Sequence, residues 1–263
     1  MDHREDDRSG PEEDPRRRFS GAASGYARSR PGYPPPLVDW VVGEAGVGPG
    51  DTVLDLGCGT GILTRALAER GLRVVGVDPN EDMLAQARAT GGSGIDYRRG
   101  DAEDTGLPDR SVALVTAAQA FHWLDLDAAF VEIHRVLRPA GHAAALWNIR
   151  GEGPFMVAYD ALLRRFSSEY QILESWDSTL EKLKSHPRVL GAREHWETHA
   201  QLFDLGGLRS RAWSSSYIFR GVRDRNGFDA ALERLHEAHA RHGLVEFPYR
   251  TVGLVFEVTG PEG

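Results

Sequence analysis

A short stretch of the chain brings one carboxylate and three glycines into close succession. Asp55 lies within an apolar run, and Gly57, Gly59 and Gly61 follow it at alternate positions. Residues without a Cβ allow the backbone to turn sharply and to approach a ligand closely. Between an apolar strand and a helix, this spacing is typical of a loop that binds a nucleotide-type cofactor.

The charge of Asp55 narrows the choice of cofactor. A carboxylate two residues before the first glycine would repel a pyrophosphate, whereas it would attract the ammonium and sulfonium groups of S-adenosylmethionine (SAM). The pattern therefore favours SAM over a dinucleotide. Cys58, the single cysteine of the chain, lies in the same loop, where we interpret it as a small filler that faces the cofactor. One cysteine excludes an intrachain disulfide and a multi-cysteine metal site, and we predict no metal.

A second carboxylate ends the next predicted strand. Asp78 closes the segment 73–78, where an acceptor-only group can accept both ribose hydroxyls of an adenosine. A helix N-cap ahead of Pro79 would also explain an aspartate here, and the two roles are compatible. Met83 can pack its thioether on adenine, and a core methionine is the alternative. These residues predict one wall of an adenosine site.

Further polar residues follow the third and fourth predicted strands, at the edge where open α/β sheets bind ligands. Asp101 and Ala102 follow the third strand, where Asp101 can accept an adenine amino proton or form a local turn. Gln119 and His122 follow the fourth strand. His122 can remove a proton from a hydroxyl or amine nucleophile, and a histidine that only packs and hydrogen-bonds is an equal alternative.

The hydrophobic pattern predicts the elements that must position these residues. Predicted strands cover 52–56, 73–78, 95–101, 111–119, 142–148, 195–203 and 250–258. Predicted helices cover 37–44, 61–70, 79–89, 126–137, 154–166, 176–184 and 226–242. Runs such as VALV and AAALW are apolar on both faces, as a central parallel strand requires. The alternation predicts a doubly wound α/β fold with a mostly parallel sheet and helices on both faces.

Length and charge limit the class of protein. The chain has 263 residues and a formal net charge of -8 at pH 7, so it has no general attraction to nucleic acid or anionic lipid. No apolar run approaches the roughly 20 residues that span a bilayer. We therefore expect a cytoplasmic enzyme that acts on a small molecule, without nucleic acid or membrane partners, as a monomer or homodimer. Lysine occurs only at 182 and 184 beside abundant arginine, which is typical of a GC-rich bacterial genome.

Three parts of the chain are expected. Residues 1–18 mix both charge signs with proline, which predicts a disordered tail. Residues 19–150 are expected to form a Rossmann-like SAM-binding core with an N-terminal segment that covers the cofactor. Residues 151–263 are expected to add a helical substrate cap and to complete the sheet of the same domain. The aromatic residues of the cap favour either an apolar substrate or a core of the cap itself.

With these motifs the chain resembles the class I SAM-dependent methyltransferases, and within them the small-molecule branch that includes trans-aconitate methyltransferase-like proteins. The resemblance is carried by VLDLGCGTG at 53–61, VVGVDPNEDML at 74–84, RRGDAEDTGLP at 98–108, QAFHWLD at 119–125 and EIHRVLRPAG at 132–141. It implies a seven-stranded sheet whose last strand is antiparallel. It also implies that SAM lies along the carboxyl ends of strands one to four and that its sulfonium methyl is transferred.

The resemblance implies roles for particular residues. It assigns cofactor contacts to Asp55, Gly57, Gly59, Asp78, Asp101, Ala102 and Gln119. The segment FSGAASGYARSRPGYP at 19–34 is similar to one that closes over the methionine end of SAM, which implies this role for Tyr26 and Arg30. Arg30 offers a permanent guanidinium fork for a carboxylate, and a solvated surface arginine is the alternative. At Ala140 the chain departs from the family, which usually has glycine after the proline.

The chemistry of a sulfonium leaves alternatives for the mechanism. The leaving group is already activated, so alignment and exclusion of water are the main tasks of the enzyme. A base helps an oxygen or nitrogen nucleophile, with His122 the first candidate and Tyr26 the second, and a carboxylate needs none. Two other functions remain open: an enzyme that uses bound SAM without methyl transfer, for instance in a cyclisation, and a non-catalytic SAM-binding module. A nucleic-acid methyltransferase is disfavoured by the acidic balance.

Overall fold

A computed structural model describes residues 30–170 and 176–260 of the chain. Its strands are β1 (Thr52–Leu56), β2 (Arg73–Asp78), β3 (Ile95–Arg99), β4 (Val112–Ala118), β5 (Leu137–Arg150), β6 (Val189–Phe203) and β7 (Val245–Val258). Its α-helices are α1 (Pro35–Glu44), α2 (Ile62–Ala68), α3 (Glu81–Thr90), α4 (Leu126–Val136), α5 (Pro154–Phe166), α6 (Trp176–Lys184), α7 (Leu205–Trp213), α8 (Ser216–Gly221) and α9 (Arg225–His239). A 3-10 turn covers Phe121–Trp123.

The seven strands form one sheet in the order β3-β2-β1-β4-β5-β7-β6. Strands β1 to β5 pair in parallel with their neighbours, and β7 is antiparallel to both β5 and β6. The predicted mostly parallel sheet with an antiparallel last strand is therefore confirmed. Because the parallel strands share one direction, their carboxyl ends meet at one edge, which is where such sheets bind ligands.

Apolar side chains cover both faces of the sheet. On β1, Leu54 and Val53 belong to different hydrophobic clusters, as expected for a strand buried on both sides. Helix α1 packs Leu37 and Val41 into the cluster that contains Val53. The apolar runs that predicted central strands thus serve as the core beneath and above the sheet.

A third hydrophobic cluster lies in the cap and the ends of the last two strands. It contains Phe155 and Tyr159 of α5, Phe228 of α9 and Phe247 of β7. The prediction that aromatic residues of this region form their own core is correct for Phe155 and Tyr159, which are both buried. The side chain of Trp176 lies outside the described part of the structure.

The structure shifts the ends of several predicted elements. β6 begins at Val189 rather than at 195, because it is an edge strand whose first residues are largely exposed and show no alternation. β3 ends at Arg99, before Asp101, whose backbone turns and exchanges hydrogen bonds with Asp104. β7 begins at Val245 rather than at 250, and the preceding helix ends at His239 rather than at 242.

Two helices, α7 and α8, were not predicted. The first turn of α7 contains Gly206 and Gly207, which weaken any helical pattern in the sequence. The side chain of Asp204 caps this helix by accepting the backbone N–H of Gly207 at 2.7 Å. The predicted tail at 1–18 and the remainder of the chain up to 29 lie outside the described residues.

Candidate functional site

A cavity of about 500 Å³ opens at the carboxyl edge of the sheet. It is bounded by the ends of β1, β2 and β3 and by the segment that follows β4. Its walls include the predicted residues Gly57, Gly59, Asp78, Pro79, Met83, Asp101 and Ala102. The structure therefore brings together residues from three separate predicted motifs. Its volume lies within the roughly 300–1,000 Å³ that is usual for small-molecule sites.

The glycine loop closes the β1 side of this cavity. Gly57 and Gly59 have φ angles of +65° and +54°, in the left-handed region that residues other than glycine rarely adopt. A Cβ at Gly57 would lie 2.9 Å from the Cβ of Ala120, so the loop is pressed against the segment after β4. A Cβ at Gly59 would meet no protein atom within 4 Å. The predicted Gly61 precedes α2 and does not line the cavity.

Asp78 joins the glycine loop to the end of β2. One carboxylate oxygen accepts the backbone N–H of Gly59 and the other accepts that of Asn80, each at 2.8 Å. Burial raises the pKa of Asp78, although these two hydrogen bonds act in the opposite direction. Each carboxylate oxygen has more than one acceptor site. Asp78 therefore orders the loop and still offers acceptors on the cavity wall.

Asp55 lies beneath the loop and does not line the cavity. Direct attraction to a cationic cofactor would require this carboxylate to be on the cavity wall. Asp55 is buried, and its carboxylate accepts hydrogen bonds from the hydroxyls of Thr64 at 2.6 Å and Thr116 at 2.9 Å. Burial raises its pKa to about 6, while the two hydroxyls lower it. Asp55 thus fastens β1 to α2 and β4 and supports the loop from below.

The third wall follows β3. Asp101 and Ala102 line the cavity, and the backbone N–H of Asp101 donates to the carbonyl of Asp104 at 3.2 Å. The local turn is therefore confirmed and places Asp101 at the cavity, and its contact with an adenine amino group stays a prediction. Met83 lines the cavity and is also buried in the helix α3. Its packing on adenine likewise stays a prediction.

Several cavity residues were missed by sequence reasoning. They include Asn80, Leu124 and Asp125. Asn80 carries a signal that was available, since it directly precedes α3 and its side chain accepts the N–H groups of Asp82 and Met83 as an N-cap. Trp123 is 39% exposed and lies on the cavity wall.

Two further predicted cofactor contacts, Cys58 and Gln119, do not line the cavity. Cys58 is buried within the loop, and burial raises its pKa well above the ordinary value. Gln119 has a φ of +58°, a strained conformation at the end of β4. Its side-chain amide donates to the carbonyl oxygen of Asn148 at 3.0 Å. Gln119 therefore links the ends of β4 and β5 rather than facing the cavity.

The remaining predicted residues belong to the segments that would cover a ligand. Arg30 donates to the backbone carbonyl of Ser214 at 3.0 Å and does not line the cavity, so the structure places it against the cap. Tyr26 lies outside the described residues. His122 lies on the 3-10 turn Phe121–Trp123, and its side chain lies outside the described part of the structure. Within 30–170 and 176–260, no helix has the length and apolar character needed to cross a membrane.

The donor and acceptor set fits an adenosine. Asp78 and Asp101 are acceptors at the ends of adjacent strands, which suits ribose hydroxyls and an adenine amino group. Leu56, Val77 and Met83 supply apolar surface for the base. The glycine loop allows close approach of the rest of the ligand.

Comparisons with known proteins agree with this site. Residues 54–145 match the family described as a methyltransferase domain. The fold and the cavity agree with this match, which extends from β1 into β5. The resemblance to class I methyltransferases is confirmed, whereas the placement in the trans-aconitate-like branch stays a prediction.

Particular relatives extend the match beyond the domain. An uncharacterised methyltransferase of Mycobacterium tuberculosis is 46% identical over 134 residues, which are 51% of this chain and 53% of that protein. An uncharacterised methyltransferase-like protein of Schizosaccharomyces pombe is 34% identical over 160 residues, 60% of this chain and 62% of that protein. The chain thus spans only about half the length of the mycobacterial relative that it matches.

Solved structures share the fold over most of the chain. A candidate type II methyltransferase from Anaeromyxobacter dehalogenans matches with a TM-score of 0.68 and 28% identity, covering 88% of this chain and 99% of that one. A candidate methyltransferase from an antibiotic biosynthesis pathway of Anabaena variabilis matches with a TM-score of 0.56 and 21% identity, covering 83% and 96%. The second similarity is one of fold alone.

Proposed function

We propose that the chain is a SAM-dependent methyltransferase that methylates an oxygen, nitrogen or carbon atom, or a carboxylate, of a small molecule. The observation that carries this proposal is the position of Asp78, which holds the glycine loop and faces the cavity at once. When bound, SAM supplies a methyl group on a positively charged sulfur. The neutral thioether that is released is a good leaving group.

The residues of the chain would bind and align the two reactants. Asp78 would accept the ribose hydroxyls and Asp101 the adenine amino group. The backbone of Gly57 and Gly59 would approach the methionine part of the cofactor, and Trp123 would shield the site from water. Asp55 would act through the loop as a positioning residue. Such alignment is the main requirement when the leaving group is already activated.

The acceptor side of the proposal rests on charge. A net charge of -8 supports a small-molecule substrate over a polyanion such as nucleic acid. His122 and Tyr26 remain the candidates for a base if the nucleophile carries a proton. A cytoplasmic monomer or homodimer is part of the same proposal, which cell fractionation and sedimentation would test.

Calorimetric titration with SAM and S-adenosylhomocysteine tests the cofactor. We expect binding in the micromolar range, about -8 kcal/mol. The substitution Asp78→Ala removes both the loop anchor and the acceptors, so we expect it to weaken binding at least about tenfold. Asp96→Ala removes an exposed aspartate on β3 and serves as the matched control. Absence of binding at saturating protein, or equal losses in both variants, would contradict the proposal.

Incubation of the protein with isotope-labelled SAM and metabolite extracts tests methyl transfer. We expect a labelled product together with stoichiometric S-adenosylhomocysteine. SAM binding without any turnover across the extracts would instead favour an enzyme that uses the cofactor without methylation.

A further inference from the structure

A second group of buried and partly buried polar side chains lies at the carboxyl edge of the sheet, on the far side of β4 from the cofactor cavity. This arginine–tyrosine cluster consists of Arg150, Arg211, Tyr159, Tyr217 and Tyr249. Arg150 ends β5, and Tyr249 is its partner on β7. The other three come from α5, α7 and α8, so the sheet edge and three cap helices converge here.

The members of the cluster act on one another electrostatically. Tyr159 is affected by the charges of both Arg150 and Arg211, and burial raises its pKa. The Nε of Arg211 donates to the hydroxyl of Tyr249 at 2.9 Å. The Arg211 guanidinium also lies 5.1 Å from the ring centroid of Phe247. Its Nη1 donates to the hydroxyl of Ser215 at 3.1 Å. Arg211 is therefore held by an aromatic wall and two hydroxyls, not by a carboxylate.

Arg150 has a similar environment. Its guanidinium donates to the hydroxyl of Tyr170 and lies 5.1 Å from the centroid of that ring. The nearby carboxylate of Asp160 accepts from the same tyrosine hydroxyl and pairs with Arg164 at 2.7 Å. It is thus separated from Arg150 by a side chain and is already shared with another arginine.

Two positive charges therefore lie in the cluster without an ion pair to a carboxylate, that of Arg211 buried and that of Arg150 partly buried. Among the described residues, no ion pair joins Arg150 or Arg211 to an acidic side chain. Arginine does not lose its proton in proteins, so both charges persist at any physiological pH. Burial of a charge without a counterion is costly, and such charges are normally paired.

The cluster also contains polar atoms that lack partners. The Nη1 of Arg150 and the hydroxyl of Tyr159 are buried and have no hydrogen-bond partner within the described residues. Native structures rarely leave such groups unsatisfied, and each one calls for an explanation. The guanidinium nitrogen can only donate and the hydroxyl can donate as well as accept, so an acceptor group would satisfy both.

The electrostatic potential has the sign that an acceptor with negative charge requires. Burial on its own raises the pKa of Tyr217, yet the charges of Arg150 and Arg211 hold this pKa below its ordinary value. The cluster therefore favours a negative charge even at the expense of desolvation.

We propose that the arginine–tyrosine cluster binds an oxyanion carried by the methyl acceptor, a carboxylate or a phosphate, with Arg150 and Arg211 as charge partners and Tyr159 as a neutral donor. That this oxyanion belongs to a methyl acceptor rests on the proposed function. A guanidinium fork matches the paired oxygens of either group. β5 is two strands from β1 in the sheet, a lateral distance of about 10 Å, which is within the length of one small molecule.

Anion binding is tested on the full chain by calorimetry and thermal unfolding, with succinate and inorganic phosphate as separate probes. We expect saturable binding of at least one probe, and the preferred probe identifies the oxyanion. Arg150→Gln is expected to weaken that binding at least about tenfold. Arg165→Gln removes the same charge from an exposed position on α5 and is expected to change it less than about twofold.

A second variant covers the case in which Arg150→Gln does not fold. Tyr159→Phe keeps the buried ring and removes a hydroxyl that has no partner, so we expect a folded protein with severalfold weaker anion binding. Binding that neither variant alters, or no saturable binding of either probe, overturns the proposal.

Two further outcomes separate the explanations. A tyrosinate absorbance band at neutral pH that disappears in Tyr217→Phe would show that the cluster neutralises its own charge, and would also overturn the proposal. SAM binding without anion binding contradicts the oxyanion site and leaves the proposed function intact. Anion binding without SAM binding contradicts only the proposed function.

Discussion

At the scale of single residues, the site depends on carboxylates whose surroundings differ. Asp55 is buried between two threonine hydroxyls, whereas Asp78 accepts two backbone N–H groups and borders the cavity. The first can act on a ligand only through the loop that it supports. The second can do so directly. Substitution of Asp78 should therefore affect ligand binding directly, whereas substitution of Asp55 should affect it only through the loop.

The buried charge of Asp55 makes a pH-dependent contribution to stability. Its pKa is about 6 in the folded protein, against an ordinary value of 3.8, so the folded state binds the proton more tightly than the unfolded state. As the pH rises through this interval, ionisation should remove up to about 3 kcal/mol of stability. In Asp55→Asn this loss is absent.

Urea unfolding between pH 4 and pH 8 measures this effect. We expect the free energy of unfolding of Asp55→Asn, relative to the unaltered protein, to increase with pH and to level off above about pH 6. The exposed Asp96→Asn is the control and should give a constant difference. A constant difference for Asp55→Asn as well would show that the carboxyl is not perturbed.

The two cavity glycines offer a matched pair of substitutions. Gly57→Ala and Gly59→Ala both force a side chain into the left-handed region, at about 1–2 kcal/mol each. The new Cβ meets Ala120 at position 57 but no protein atom at position 59. We therefore expect the larger loss of stability from Gly57→Ala.

Calorimetry and urea unfolding on both variants separate the two effects. Because the open space at Gly59 belongs to the cavity, Gly59→Ala should weaken SAM binding while it costs less stability. Equal stability losses in the two variants would mean that the segment after β4 moves away from the new Cβ at position 57 at little cost.

At the scale of elements, the turn between α4 and the main part of β5 contains a strained residue. Ala140 has a φ of +59° at the position where the family usually has glycine. The pairing of β4 with β5 also shifts register here, between Val112 and Leu114. Ala140 therefore adopts the left-handed backbone conformation that glycine favours, although it carries a Cβ.

Ala140→Gly should relieve this strain. We expect the free energy of unfolding to rise by about 1 kcal/mol, measured by urea unfolding. Ala85→Gly provides the opposite case, since Ala85 is an exposed residue inside α3 and the same change should cost about 1 kcal/mol. A loss of stability in both variants would show that Ala140 is not strained.

Sequence patterns predicted the central elements well because these segments have few alternatives. β1, β2 and β4 are short apolar runs, and Asp78 ends one of them, so its place at the sheet edge followed directly. β6 and α7 were harder, since an exposed edge strand and a helix with two glycines carry weak periodic signals.

The arginine–tyrosine cluster could not be predicted from local pattern. Arg150 and Arg211 lie on different elements far apart in the chain, and each resembles a surface arginine when read alone. Only the packing of the cap on the sheet edge makes them neighbours and buries them. The same applies to Asp55, whose type was noted but whose threonine partners come from α2 and β4.

At the scale of the whole molecule, β7 joins all the hydrophobic clusters. Its residue Phe247 packs in the cap cluster, Val252 in one cluster of the sheet and Val255 in the other. Because one strand serves all three, the cap and the cofactor-binding core should unfold together as one cooperative unit. Damage to the cap core should then lower the stability of the distant cavity.

Phe247→Ala tests this coupling. Phe247 is fully buried against the rings of Phe155, Tyr159 and Phe203, so its truncation should cost about 3–5 kcal/mol and lower the unfolding midpoint by on the order of 10 °C. Phe219→Ala removes a ring that is 47% exposed and should change the midpoint little.

The test compares two probes, circular dichroism of the whole fold and the fluorescence of Trp123 at the cavity in a variant whose other tryptophans are replaced. Coincident transitions that shift together support one unit, because both the cap and the cavity then depend on β7. A cavity transition that stays in place while the rest shifts would show that the cap unfolds on its own.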